Sequence, residues 1–128
     1  MRTAFERYAC QRPYRRDGVS TVYVGALELD VLLGDVHSLK QKRSVVRPVI
    51  AELRRRFDVS VAEAGHLDLH RRGLIGIAIV ATDAGHVADV LDACERQVAG
   101  RPELELLSAR RRWFGPDDEE HEQEVRRG

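Results

Sequence analysis

The stretch Leu74-Ile75-Gly76-Ile77-Ala78-Ile79-Val80-Ala81-Thr82 decides how the rest of the chain is read. It carries no charge, and it is rich in β-branched residues. Its alternate positions put Ile75, Ile77 and Ile79 on one face of a strand and Leu74, Ala78 and Val80 on the other. A strand that is apolar on both faces belongs in the interior of a sheet. Upstream, 65–73 reads as a hairpin connection to a preceding strand at 59–64. Downstream, Thr82 or Asp83 can cap a helix whose buried side carries Val87, Val90, Leu91, Cys94 and Val98. Gly100 with Pro102 stops that helix. The segment 104–114 then returns as a strand containing Trp113, the only tryptophan.

The first half of the chain has the same grammar. The β-rich string VYVGALELDVLL at 22–33 reads as a central strand, followed by a turn at 34–37. Ser38 can cap a helix, with Gln41 completing a capping box. Leu39, Val46, Val49, Ile50, Leu53 and Phe57 recur at helical spacing and make one core-facing stripe over 38–57. Pro48 falls inside this helix and predicts a bend there. The resulting β-α-β-β-α-β order predicts an α+β, ferredoxin-like split βαβ fold: a four-stranded antiparallel sheet with two helices on one face.

The domain reading is 21–115. Residues 1–20 carry five arginines against two acids and read as a disordered basic extension. Residues 116–128 read as a disordered, solvated acidic tail, with the charge to fold back on the basic first helix and mask it. The zero net charge therefore hides a basic head and an acidic end. The 43% hydrophobic content suffices for a core without metal or disulfides, and no apolar run is long enough for a membrane span. The two cysteines, Cys10 and Cys94, form no disulfide framework, so a cytoplasmic setting is expected.

Several local strings resemble the YlxP-like family of small bacterial proteins. Ser38-Leu39-Lys40-Gln41-Lys42-Arg43 is similar to its SLKxKR signature, and Val59-Ser60-Val61-Ala62-Glu63 to its VSVAE strand. Asp68-Leu69 with Arg72 resembles its DLWxR hairpin, with His70 where the family often has tryptophan. Trp113-Phe114 resembles its aromatic end. The resemblance implies a ferredoxin-like fold in a bacterial cytoplasm. It also implies genes placed beside translation initiation and ribosome maturation factors, a setting that hints at RNA or the ribosome. The family is functionally uncharacterised, so no catalytic residue carries over.

The chemistry-bearing residues sort accordingly. Lys40, Lys42, Arg43 and Arg47 crowd the start of the first helix, where the macrodipole favours anions. They are the candidate nucleic-acid contacts, with phosphate as the group they would meet. Arg110, Arg111 and Arg112 could extend that patch. His66, Asp68 and His70 could converge on a metal if the segment stayed extended; a polar turn is the competing reading. No nucleophile elbow, P-loop or dinucleotide fingerprint is present, so neither an enzyme nor a cofactor is expected. The paired carboxylates Glu28 and Asp30 share the strand face away from the helices. An RNA-recognition-type sheet would carry central aromatics, and only Tyr23 is offered. The second apolar face of 74–82 needs a cover, which predicts a homodimer through the sheet.

Overall fold

The computed structural model describes residues 21–116 and the backbone of 120–126. The elements are β1 (Tyr23–Leu33), α1 (Leu39–Arg56), β2 (Ser60–Gly65), β3 (Arg72–Ala81), α2 (Ala84–Ala99), β4 (Leu104–Phe114) and β5 (Glu120–Arg126). The sheet order is β2-β3-β1-β4-β5, and every neighbouring pair is antiparallel. The first four strands and the two helices form the ferredoxin-like arrangement expected from the sequence.

The alternation along the central strands sets the layers. Leu27, Leu29, Val31 and Leu33 of β1 lie beside Ile75, Ile77 and Ile79 of β3, and all are buried in one core with the helices. Gly25 belongs to the same face. A Cβ at this position would overlap Val87 Cγ1 and come within 2.9 Å of Leu91 Cδ1, so the missing side chain lets α2 lie close to β1. The helix α2 starts at Asp83, whose carboxylate accepts from the backbone N–H of Gly85 and His86.

The helix α1 starts at Ser38, whose hydroxyl accepts from Gln41 N–H at 3.1 Å. Gln41 completes the cap one residue further out than the usual box, its Oε1 accepting from His37 N–H at 2.6 Å. Pro48 does not break α1, which runs from Leu39 to Arg56. Pro48 sits on the exposed side, where the Ser44 carbonyl it leaves unbonded can turn to water. The buried positions are Lys42, Val46, Val49 and Leu53, at spacings of four, three and four. Leu39, expected in the stripe, is 38% exposed.

The acidic end departs from the solvated tail that the sequence suggested. The segment Glu120–Arg126 pairs with β4 as a fifth strand, and does not lie on the basic helix. The register places Glu122 opposite Arg112 and Glu124 opposite Arg110. The density of acids that makes this segment read as a tail is matched by arginines on the strand it joins. That complement lies outside the segment's own sequence.

Candidate functional site

The outward side of α1 carries a shallow cleft lined by Lys40, Arg43, Ser44, Arg47 and Pro48. The three cations are exposed and follow one another at i, i+3 and i+7, so they share one helical face. The first turn of α1 holds no acidic residue. Among the described residues, neither Lys40, Arg43 nor Arg47 has a carboxylate within ion-pair distance; Arg54, Arg71 and Arg96 share that condition, but Arg54 and Arg71 are held by backbone carbonyls. The remaining described lysines and arginines are engaged: Arg54 donates to Val61 O, Arg71 to the carbonyls of Leu33 and Gly34, and Arg101 to Glu52.

Lys42 leaves the candidate set. It is 2% exposed and points inward, and its Nζ lies 2.7 Å from Glu63 Oε1. The same ammonium donates to His66 O at 2.8 Å and to Leu69 O at 2.7 Å. Its three protons are thus matched by three acceptors, as a buried charge requires. The reason for the inward turn is helical phase: Lys42 lies four residues before Val46, on the core-facing stripe. Lys42 therefore ties α1 to the β2–β3 connection and is unavailable to a phosphate. This clasp is the feature that the sequence reading missed. The spacing signalled it, and the residue type concealed it.

The connection that Lys42 holds is the place of His66, Asp68 and His70. His66 adopts φ 55°, in the left-handed region, which ends the extended run. Its ring turns to Asp30, with Nε2 3.6 Å from Oδ1, while Asp68 and His70 are exposed on the loop. The three are not brought together, and among the described residues no group of three or more His, Cys, Asp or Glu is placed to hold a metal ion. Asp30 is gripped by Arg72, which donates to both carboxylate oxygens at 2.8 and 2.7 Å.

The arginine run of β4 is split by the pleat. Arg111 turns under α2 and pairs with Asp92 at 2.6 Å and Glu95 at 3.3 Å. Arg110 and Arg112 turn to the opposite, open face, 4.0 and 3.6 Å from the Glu28 carboxylate. The helices cover the other face, so β4 does not extend the α1 cleft. The open face also carries a cross-strand row of Val80, Val24 and Phe114, exposed by 66%, 36% and 43%. Below that row lies a shallow groove floored by Ala26, Ala62, Ala64, Gly76 and Ala78. Cys94 is fully buried, and desolvation pushes its thiol up to about 11 despite the nearby Arg111 charge. It is not a thiolate nucleophile near neutral pH.

Comparison with known proteins adds one assignment. A family model described as "Protein of unknown function (DUF503)" matches residues 24–111, from the second residue of β1 to Arg111 in β4. The chain belongs to the DUF503 family. A relative of this DUF503 chain, "Uncharacterized protein YlxP" of Bacillus subtilis (strain 168), is 30% identical over 91 residues, covering 71% of this chain and 99% of the relative. The YlxP-like resemblance read from the motifs thus holds. The family match includes the basic cleft, the Lys42 clasp and most of the open face, and stops before Arg112, Phe114 and β5. No helix among the described residues of this DUF503 chain is long and apolar enough to cross a membrane.

Proposed function

We propose that this DUF503 protein is a non-enzymatic RNA- or ribosome-associated protein that works in the cytoplasm and contacts phosphates through Lys40, Arg43 and Arg47. The observation that carries this reading is the cleft on α1, where three cations without a carboxylate partner among the described residues share one face. Cations at a helix start oppose the macrodipole and cost stability in the free protein. A phosphate at that end offsets the cost, because the backbone dipoles and the side-chain charges then act in the same direction. The bacterial gene setting implied by the family resemblance, beside translation and ribosome maturation factors, favours RNA over other polyanions.

Fluorescence anisotropy with ribosomal RNA fragments tests the reading. Each phosphate contact contributes roughly 0.7–0.9 to the slope of log affinity against log salt. Replacing Lys40, Arg43 and Arg47 by alanine should therefore flatten the slope by roughly 2–3. An unchanged slope and affinity in that variant would remove the assignment.

A second reading, self-association without nucleic acid, has its own observation in the exposed row Val80, Val24 and Phe114. A homodimer that packs sheet on sheet buries this row against its copy. Sedimentation of the wild type against Val80→Asp separates the readings. A dimer that the substitution dissociates supports sheet-face pairing, and a wild-type monomer at all accessible concentrations rejects it.

A further inference from the structure

The strand β4 presents one edge to β1 and the other to β5, with Arg110 and Arg112 on the open face. One carboxylate of the core fold, Glu28, serves both guanidinium groups, at distances beyond direct hydrogen bonding. The register of β5 places further acids opposite the same two arginines, Glu124 opposite Arg110 and Glu122 opposite Arg112. Acids two residues apart match the period of a strand, so a single extended segment can pair its backbone with β4 and hold its alternate residues in register with the two arginines. The pairing runs the length of β5, from Ser108 opposite Arg126 to Phe114 opposite Glu120.

We propose that the outer edge of β4, with Arg110 and Arg112, is a docking site for an extended acidic peptide segment, and that β5 is its built-in occupant. A partner protein that carries carboxylates at alternate positions displaces β5 and adds its own strand to the sheet. This is strand addition, in which the backbone ladder supplies affinity and the alternate side chains supply selectivity. The cis strand is attached through a short connection and holds the edge at high effective concentration, so it excludes weakly matched segments. The proposal is independent of the α1 cleft, which lies on the other side of the sheet.

The test uses the full chain and a labelled peptide with the sequence of Glu120–Arg126. In the variant Glu122→Gln with Glu124→Gln, the cis strand loses its counter-charges. The peptide should then bind at least tenfold tighter than it binds the wild type. Adding Arg110→Gln and Arg112→Gln should abolish the gain, and a peptide with its three glutamates changed to glutamine should not bind. In the wild type, excess acidic peptide should accelerate hydrogen exchange of the 120–126 amides, a readout that needs no substitution. Absence of a gain, a gain that survives loss of the arginines, equal binding of the uncharged peptide, or preference of the site for a uridine homopolymer over the peptide would each overturn the proposal. Replacing Lys40, Arg43 and Arg47 by alanine should leave peptide binding unchanged, which separates this site from the RNA reading.

Discussion

The Lys42 ammonium and the Glu63 carboxylate lie 2.7 Å apart beneath the start of α1, and the same ammonium holds the His66 and Leu69 carbonyls. One buried side chain thus fixes both the seat of the helix and the path of the β2–β3 connection. Lys42→Met keeps the stem and removes the charge. It should destabilise the fold by about 3 kcal/mol, the low end for breaking a buried pair, because Glu63 keeps some contact with water. Urea unfolding checks this, and a loss below about 1 kcal/mol would mean that the clasp is energetically idle.

Lys40 differs from Lys42 in direction alone, and its substitution should have the opposite effect on stability. With no acid in the first turn of α1, Lys40→Glu improves the match to the macrodipole. Thermal unfolding should show a gain of about 0.3–1 kcal/mol. RNA affinity should fall in the same variant. A protein that gains stability while it loses affinity would show that the cation is kept for a ligand and not for the fold.

Gly25 sets the distance between β1 and α2. Gly25→Ala places a methyl group against Val87 and Leu91, and should cost about 1–3 kcal/mol as the helix is pushed outward. The corresponding change at Gly34, where an added Cβ would come no closer than 3.9 Å to Glu103 O, should be far milder. Denaturation midpoints of the two variants, measured side by side, make the comparison.

Cys94 gives a pH signature. Its thiol is raised from 9.0 to about 11 by burial, so the folded state holds the proton more tightly than the unfolded state. The stabilisation is complete below pH 9 and is lost as pH rises towards about 11. Stability measured across that window should fall more steeply in the wild type than in Cys94→Ala. In a Cys10→Ser background at pH 8, a thiol reagent should label the native protein only at the rate of its opening.

Much of this architecture was legible from apolar spacing. The isoleucines of β3 and the stripe of α1 placed two layers correctly, because burial of apolar surface is the main driving force of folding and leaves a periodic trace. Lys42 and Arg111 carry the right phase but the wrong chemistry for that rule. Each inward charge is accommodated because carboxylates from other elements, Glu63 for the one and Asp92 with Glu95 for the other, meet it there. Such partners are remote in sequence, so a reading along the chain cannot pair them. The same holds for β5, whose acids make sense only against the arginines of β4. Of the four candidate phosphate contacts, Lys40, Arg43 and Arg47 reach the outer face, and helical phase alone would have removed Lys42.

The sheet order has a consequence for how the molecule can exist at all. The neighbours β2–β3, β3–β1 and β1–β4 each join a strand from before residue 66 to one from after it. Cut in the loop between β2 and β3, the chain yields one piece with β1 and β2, which are not adjacent, and another with β3, β4 and β5, of which only β4 and β5 pair. The interleaving leaves no half that could close the four-stranded core sheet by itself. A nascent chain must wait for its second half, a nicked one must keep both, and the basic cleft and the β4 edge therefore appear and vanish together.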